Sequence, residues 1–418
     1  MVHIYPFAAV RPADGAAQDV AAVPYDVVSA DEAREIIADN PLSFLRISRA
    51  DALLPDTDPY ADQVYALSKK IFDDSLKEKI LIQESSPAFY VYKVTHEGRT
   101  YTGLSCCVDT REYESGAIHR HELTRYDKEE DRTRHIDVMN ANTGPVVLLH
   151  LKNQEIAGLL NAATNGPALM KVSAANGSVH QIFAVRDSGA IDALSRAFSS
   201  IPSLYIADGH HRCKSAVNVT ERRKQRGNTV PEETYHVMGV IFAEDEVKVH
   251  GYSRLLTTLG DYTPQSFITA LRAVATVTPF DAVDPSAYSI IPTQHGNNLH
   301  IFHLYCDGKW YECSLQVSSS ASRIDALDVS VLQDQVLVPF LDITDSRGDS
   351  RLQYLGGARP IRDLMVKVDS GEYVAAIAMQ PVDVQMVFSI ADDGGIMPPK
   401  STWFEPKLLS GLLVHLLE

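Results

Sequence analysis

The residues best suited to chemistry form the run Asp208–Arg212, which reads Asp-Gly-His-His-Arg. It lies where a predicted strand over 203–207 passes into a predicted helix that extends to about residue 226. Helix N-termini present free backbone N–H groups to anions, and Gly209 lets a ligand approach the backbone closely. Arg212 adds a forked, charge-assisted contact to phosphate, and Asp208 is a candidate Mg²⁺ ligand or base. The alternative is an Asp N-cap followed by two surface histidines.

A second candidate is the charged segment from His119 to His135, which opens with His-Arg-His-Glu. With histidine left out, it has five basic and five acidic side chains, so it is not a basic patch for nucleic acid. Glu122, held among arginines and histidines, is suited to act as a general base for a hydroxyl group. A solvated, ion-paired segment is the alternative. A zinc site requires that His119 and His121 converge with the histidines at 210 and 211, which the spacing does not indicate.

A third candidate is Lys400, in the run Met397–Thr402. Lys-Ser-Thr resembles the end of a phosphate-binding P-loop, but the Gly-x-x-x-x-Gly that should precede the lysine is absent. The sequence therefore argues against a Walker nucleotide site. Lys400 is interpreted as a phosphate contact, with a surface lysine as the alternative.

Composition bounds the class of function. The chain has 418 residues, and its 38 basic and 54 acidic side chains give a formal net charge of −16. This charge argues against broad nucleic-acid binding, which depends on Lys and Arg over the phosphates. No apolar stretch is long enough for a membrane span, and the start of the sequence lacks the basic leader of a signal peptide. Five dispersed cysteines without a C-x-x-C pair predict reduced thiols in a cytoplasmic protein.

Changes of pattern along the chain predict three regions. These are an N-terminal α/β region over 1–115, a central region over 116–255 and a C-terminal α/β region over 256–418. Ser29 and Glu32 have the spacing of a helix capping box. Apolar periodicity predicts further elements: a helix near 60–79, strands over 88–94 and 101–108, and a closing helix after residue 404. The fold class is α/β to α+β, with mixed sheets.

Several segments resemble a large bacterial family known as domain of unknown function 1015. The matching segments are Tyr5–Pro12, Pro24–Ser29, Phe44-Leu45, His121-Glu122, Asp131-Arg132, Ala207–Arg212, Lys400–Lys407 and Ser410–Leu412. Because they are scattered from one end of the chain to the other, the resemblance covers essentially the whole sequence.

The central region also resembles the free-serine kinases, which are built on a ParB/sulfiredoxin-like fold. Members of that group combine an early His-Glu with a later Asp-Gly-His-His-Arg at a helix start. This sequence has both, at His121-Glu122 and at Asp208–Arg212, with an insertion between them. The resemblance implies a phosphotransferase that uses ATP or ADP, with Mg²⁺, to convert free L-serine to O-phosphoserine.

The resemblance also implies a role for each residue. Glu122 takes the proton from the serine hydroxyl, and Asp208 orients that hydroxyl or the metal. Gly209 and the N–H groups after it, with His210, His211 and Arg212, contact the phosphates and neutralise their charge. Taken together with the motifs above, the predicted catalytic residues are Glu122, Asp208 and His210. The predicted cofactor-binding residues are Gly209, His211, Arg212, His121 and Lys400. Such positioning and charge neutralisation supply most of the acceleration in phosphoryl transfer.

Other classes of function remain open from the sequence. They are a non-enzymatic sensor of a nucleotide or phosphate ligand and a ParB-like nucleotide-dependent DNA-partition protein. A sulfiredoxin-like reductase requires a cysteine just before His-Arg, where this chain has His210. The sequence leaves open the acceptor, the choice between ATP and ADP, and the oligomeric state, a homo-oligomer included.

Overall fold

The structure is a computed structural model that describes residues 2–227, 229–294, 296 and 298–418. The chain folds into two compact units. The first consists of Met1–Arg120, Thr124–Val247 and Pro406–Glu418, and the second of His121–Leu123 and Lys248–Glu405. The first unit therefore holds the predicted N-terminal region and almost all of the predicted central region.

The first unit contains both strands and helices. Its strands are β1 Ile4–Tyr5, β2 Val10–Pro12, β3 Leu81–Gln83, β4 Phe89–His96, β5 Arg99–Asp109, β6 Ile118–His119, β7 Ala141–Asn142, β8 Val146–His150, β9 Met170–Ser173, β10 Val179–Val185, β11 Leu204–Asp208 and β12 His236–Ala243. Its helices are α1 Ala17–Val20, α2 Ala30–Asp39, α3 Leu45–Ser48, α4 Asp62–Lys77, α5 Thr110–Ser115, α6 Tyr126–Met139, α7 Gln154–Ala163, α8 Ser188–Ser199 and α9 His210–Gln225. Short 3₁₀ turns cover Ala50–Leu53, Glu232–Tyr235 and Glu244–Glu246.

The largest sheet of the first unit is mixed. Its strands are ordered β6-β11-β8-β12-β5-β4-β10-β9, with β1 also paired to β5. The β6–β11 and β8–β12 pairs are parallel, and the other pairs are antiparallel. Strand β8 is an unbroken apolar run before its final histidine, and every residue in it is buried, as expected for a strand covered on both faces. This sheet fixes the position of β11, which delivers the Asp208–Arg212 run.

The second unit is built on an antiparallel sheet ordered β15-β17-β16-β19-β14-β18, beside a separate β13–β20 pair. Its strands are β13 Lys248–His250, β14 Ser253–Leu256, β15 Thr276–Pro279, β16 Leu299–Cys306, β17 Lys309–Gln316, β18 Leu352–Leu355, β19 Ala375–Met379 and β20 Trp403–Glu405. Its helices are α10 Pro264–Leu271, α11 Asp328–Leu332, α12 Val338–Leu341, α13 Ile361–Asp369 and α14 Val384–Asp392, with a π turn at Gln333–Leu337.

The predicted fold class, α/β to α+β with mixed sheets, is confirmed. Local predictions are confirmed as well. The Ser29–Glu32 capping box starts α2, with the Glu32 backbone N–H donating to Ser29 Oγ and the Ser29 N–H donating to Glu32 Oε2. Helix α4 and the β4–β5 hairpin lie where the apolar periodicity places them. These elements depend on short-range patterns, which a sequence displays directly.

The predicted closing helix after residue 404 is wrong. The chain forms β20, then crosses the first unit as an extended segment that ends in β21, His415–Leu416. Gly411 has a φ of +84°, and a Cβ there would lie 2.6 Å from Cβ of Phe44. Val414 pairs with Val10, and β21 pairs with β7. The apolar side chains that suggest a helix are buried by this crossing instead.

The structure also describes the helices and the cysteines on which the sequence predictions above depend. Within the described residues, no helix combines the length and the apolar character that crossing a bilayer requires. All five cysteines are buried free thiols.

Candidate functional site

The Asp208–Arg212 run forms a tight junction between β11 and α9, as the sequence predicts. Asp208 is the last residue of the strand, and Gly209 caps the helix with a φ of +93°, in the left-handed region. A Cβ on Gly209 would lie 3.1 Å from Nε of Arg212 and 3.3 Å from Cα of Val146. The turn therefore needs glycine both for its backbone conformation and for the space beside Arg212.

Replacing Gly209 with alanine is expected to lower the free energy of unfolding by about 1–3 kcal/mol, because the side chain strains the left-handed backbone and crowds Arg212. Urea unfolding of the purified variant measures this loss. The control is Gly158→Ala, at an open position inside α7 where a Cβ meets nothing within 4 Å. That change should be neutral or stabilising. Equal stability of the two variants would contradict the assigned role of Gly209.

Asp208 lies between two cations. Lys407 Nζ is 2.8 Å from Asp208 Oδ2, and Arg212 Nη2 is 3.4 Å from Asp208 Oδ1. Burial alone would raise the pKa of this carboxyl, but Lys407 and Arg212, with His210 nearby, hold the pKa well below its usual range. Asp208 is therefore an ionised carboxylate at neutral pH. The junction as a whole carries more positive than negative charge.

Lys407 is the residue at this junction that sequence reasoning does not identify. It belongs to the C-terminal segment Lys400–Lys407 of the resemblance, in which the sequence predicts Lys400 as the phosphate contact. In the structure it is Lys407 that reaches Asp208, from a position 199 residues further along the chain. The only indication of Lys407 in the sequence is its place in that family segment. Membership of the segment does not specify which lysine approaches which carboxylate.

Replacing Lys407 with methionine is expected to cost about 1–3 kcal/mol of stability at neutral pH, because Asp208 loses its closer cation. The folded-state pKa of Asp208 is depressed, so this contribution is present above the unfolded-state pKa of about 3.9 and is lost as the pH falls through the folded-state value. The stability difference from wild type should therefore shrink below about pH 4.

Urea unfolding at several pH values measures this difference. The matched control is Lys70→Met, which removes an exposed lysine paired with Asp74 within α4, at 2.7 Å. Exposed pairs of this kind contribute little, so the control should match wild type throughout the pH range. Equal losses for both variants, or a loss at Lys407 that does not depend on pH, would contradict the assigned pairing.

His211 contacts the charged segment that follows Glu122 in the sequence. The backbone N–H of Arg125 donates to Nε2 of His211 over 3.0 Å. An imidazole nitrogen that accepts is unprotonated, so the ring proton of His211 lies on Nδ1. Burial lowers the pKa of His211, which keeps the ring neutral. His211 therefore offers a ligand one neutral N–H donor.

The strand β6, which ends just before His121-Glu122, lies beside β11. The two strands are parallel, with Ile118 opposite Leu204 and His119 opposite Tyr205. The His119 ring stacks on Tyr205 with centroids 5.1 Å apart. Because parallel strands end at the same edge of a sheet, the chain leaves β6 toward the edge at which β11 delivers Asp208.

Arg212 extends from the first turn of α9 back over the junction. Its Nη1 donates to the carbonyl oxygen of Pro145, and its side chain is 14% exposed. The contact to Asp208 is long, at 3.4 Å. A guanidinium carries five N–H donors, so these two contacts leave donors that can bind a ligand.

The remaining predicted site residues lie in the second unit. His121 is buried; its carbonyl oxygen accepts from the Met397 N–H over 2.8 Å, and its Nε2 lies 3.5 Å from Thr402 Oγ1. Glu122 is half-buried. Lys400 is exposed, with Nζ 5.1 Å from the centroid of the Tyr252 ring. The structure thus places Asp208–Arg212 together at one junction of the first unit, and His121, Glu122 and Lys400 in the second.

A metal ion at Asp208 would have to be shared with a ligand. Among the described residues, no cluster of three or more His, Cys, Asp and Glu side chains could hold a metal ion. Magnesium is usually held by one or two carboxylates together with substrate phosphates and water, so a single aspartate is enough when the ion arrives with a nucleotide. Both Asp208 oxygens face cations here, so coordination by Asp208 requires Lys407 to move. Metal binding by Asp208 stays a prediction.

Sequence comparison places the chain in a family. The family model described as "Protein of unknown function (DUF1015)" matches residues 4–330, more than three quarters of the chain. The resemblance is thereby confirmed over residues 4–330, while the segments Lys400–Lys407 and Ser410–Leu412 lie beyond the match and stay predictions. No curated protein matches the chain.

Solved structures with weak similarity cover most of the chain. A conserved hypothetical protein from Pyrococcus furiosus is 14% identical, with a TM-score of 0.36, over 75% of this chain and 95% of that one. A free serine kinase in complex with AMP is 13% identical, with a TM-score of 0.37, over 73% and 88%. The C-terminally truncated SbnI from Staphylococcus aureus is 11% identical, with a TM-score of 0.38, over 75% and 87%. Similarity at this level assigns no role to individual residues.

Proposed function

We propose that this chain, which belongs to the DUF1015 family of proteins of unknown function, is a small-molecule kinase that transfers a phosphoryl group from ATP or ADP to the hydroxyl of free L-serine. The proposal starts from the resemblance of His121-Glu122 and Asp208–Arg212 to the free-serine kinases. The geometry of the β11–α9 junction supports it independently.

The observation that carries the proposal is the position of the residues on either side of Glu122. Before it, His119 lies beside Tyr205 on β11; after it, Arg125 donates to His211 on α9. Both flanks of the segment are therefore attached next to the Asp208–Arg212 run. In α/β folds, ligands bind beyond the carboxyl ends of the strands, which is the edge that β6 and β11 share. This arrangement supports a common role for Glu122 and the junction.

The junction has the properties that phosphoryl transfer requires. The first turn of α9 presents backbone N–H groups next to a glycine, so a phosphate can approach closely. Arg212 and Lys407 bring two positive charges against the single charge of Asp208. This excess suits a transferring phosphoryl group, whose equatorial oxygens carry the developing negative charge.

The proposed reaction uses these groups in one in-line displacement. The serine oxygen forms a bond to the terminal phosphorus of the nucleotide, and the bond from that phosphorus to the bridging oxygen breaks. ADP leaves when ATP is the donor, and AMP leaves when ADP is the donor. Glu122 accepts the hydroxyl proton, Asp208 orients the hydroxyl, and His210 and Arg212 contact the phosphoryl oxygens. Asp208 would hold a magnesium ion shared with the nucleotide, and that ion would neutralise phosphate charge.

The test is whether consumption of the nucleotide depends on the acceptor. Purified protein is incubated with Mg²⁺ and either ATP or ADP, with and without L-serine, and the nucleotides are separated by anion-exchange chromatography. The proposal predicts conversion of one donor only when serine is present. Nucleotide that is bound but stays intact with serine would contradict it and favour a nucleotide sensor, and hydrolysis at the same rate without serine would favour a simple nucleotidase.

A further inference from the structure

A cavity beside Arg212 has no role in the scheme above. The residues that line it and matter here come from distant parts of the first unit: Tyr25, Ser48, Arg132, Thr143, Arg212 and Ser410. We call this the arginine cavity. Four of the segments that resemble DUF1015 meet in it, through Tyr25, Arg132, Arg212 and Ser410. Of these four segments, only the one that contains Arg212 has a role in the proposed phosphoryl transfer.

Arg132 is held rigidly at the cavity wall. Its Nε and Nη2 donate to Asp131 Oδ2 over 2.9 and 2.7 Å, and its guanidinium lies 4.2 Å from the centroid of the Tyr25 ring. Asp131 is fixed in turn by the hydroxyl of Tyr65, which donates to Oδ1 over 2.8 Å. Arg132 contacts Asp131 through Nε and Nη2. Its third nitrogen, Nη1, is left for another partner.

The remaining polar groups of the cavity are neutral. His135, which also lines it, donates from Nε2 to the Ile47 carbonyl oxygen over 3.2 Å, and burial lowers its pKa to about 4. Tyr25 is half-buried and its pKa is raised, first by burial, so its hydroxyl stays protonated. Among the described residues that line the cavity, two are arginines and none is a carboxylate. Asp131 pairs with Arg132, Asp208 pairs with Arg212, and Asp26 also interacts electrostatically with Arg212; all three lie outside the lining.

We propose that the arginine cavity is a binding site for the anionic group, carboxylate or phosphate, of a small ligand. Two guanidinium groups placed by separate elements, with the hydroxyls of Thr143 and Ser410 beside them, match the oxygens of such a group. Arg132 is paired with Asp131 and Arg212 with Asp208, and the guanidinium N–H groups that these carboxylates do not engage remain as donors for the oxygens of a ligand anion. The site adjoins the proposed catalytic junction through Arg212, but it binds its ligand whether or not phosphoryl transfer follows.

Arg132→Gln tests the proposal, because glutamine keeps a polar side chain but removes the charge and the fork. Binding of two probes, inorganic phosphate and L-serine, is measured by titration calorimetry. The matched control is Arg134→Gln on the same helix, α6. Arg134 contacts the Tyr60 carbonyl oxygen over 2.7 Å and pairs with Asp62, outside the cavity lining. Thermal unfolding of both variants confirms that each is folded.

The proposal predicts that wild type binds at least one probe, and that Arg132→Gln weakens this binding by about tenfold or more while Arg134→Gln leaves it within about twofold. Binding of phosphate alone identifies a phosphate site, and binding of serine alone a carboxylate site. Failure of both probes to bind wild type, or equal binding by the two variants, overturns the proposal. This experiment measures binding and not turnover. Its result can therefore overturn the proposed anion site without overturning the proposed kinase activity, and a failure of the kinase assay leaves the anion site standing.

A measurement on wild type covers the case in which Arg132→Gln does not fold. Phenylglyoxal modifies accessible arginines, and peptide mass spectrometry reports the rate at each one. The probe that binds should slow modification of Arg132 and Arg212 and leave Arg134 unchanged. Equal rates with and without both probes overturn the proposal.

Discussion

Replacing Glu122 with glutamine is expected to reduce phosphoryl transfer by about 100- to 10,000-fold, because a positioned general base contributes acceleration of that order. The amide is nearly isosteric with the carboxyl group but does not accept a proton from the serine hydroxyl. Nucleotide affinity should stay close to that of wild type, since Glu122 is assigned to the acceptor and not to the phosphates. The measurements are the turnover number and nucleotide binding by calorimetry, made on the same preparation.

Glu130→Gln is the matched control for this experiment. Glu130 lies in α6, in the same charged segment as Glu122, and it forms an ion pair with Arg222 at the surface of the first unit. The control removes the same charge from a partly exposed pair, so turnover should change little. A Glu122→Gln protein that works at full speed would contradict the assignment of the base. A loss of nucleotide binding that matches the loss of turnover would indicate a binding role instead.

Arg212→Gln is expected to weaken nucleotide binding by about 10- to 100-fold, which corresponds to losing one partly buried, charge-assisted contact to phosphate. The substitution also frees Asp208 from one of its two cations and leaves the Pro145 carbonyl oxygen without its donor. Calorimetry with ATP and with ADP measures the affinity, and urea unfolding measures the accompanying change in stability. If the variant does not fold, Arg212→Lys retains the charge and should bind with intermediate affinity.

The control for Arg212 is Arg222→Gln, further along the same helix. Arg222 pairs with Glu130 and is about one-third exposed, at 32%. Its removal lowers the charge of α9 by the same amount, so a general electrostatic effect would weaken binding equally in both variants. The assignment is contradicted if Arg212→Gln binds nucleotide as tightly as Arg222→Gln.

The local part of the site could be predicted from the sequence. An apolar run before Asp208, a glycine after it and a helical pattern beyond define a strand, a left-handed turn and a helix, all within a short stretch of chain. The same reasoning found the capping box at Ser29. In each case the decisive interactions connect residues that are close in sequence.

Contacts between distant segments could not be predicted in this way. Lys407 reaches Asp208 across 199 positions, and Tyr25 meets Arg132 and Arg212 at the arginine cavity only because of the sheet and helix packing. The prediction of a closing helix is wrong for the same reason. The apolar side chains after residue 404 lie in an extended segment that passes Phe44 and pairs with Val10. An apolar periodicity alone does not distinguish this kind of burial from that of one face of a helix.

The parallel pairing of β6 with β11 is the most consequential feature that the sequence does not show. Two residues are too few to give a strand pattern, and nothing in the composition indicates which strand they join. In the structure this short pair places His119 beside Tyr205. The position of His119 beside the strand that delivers Asp208 therefore comes from tertiary structure alone.

The central claim is that a new phosphate ester forms on serine, and ³¹P NMR observes that bond directly. Purified protein is mixed with Mg²⁺, L-serine and either ATP or ADP, and the spectrum is followed over time beside a Glu122→Gln sample. The account predicts a phosphomonoester signal that coincides with added O-phosphoserine, appears with one donor and is absent from the variant. A wild-type spectrum in which the donor signals persist and no phosphomonoester forms would contradict it.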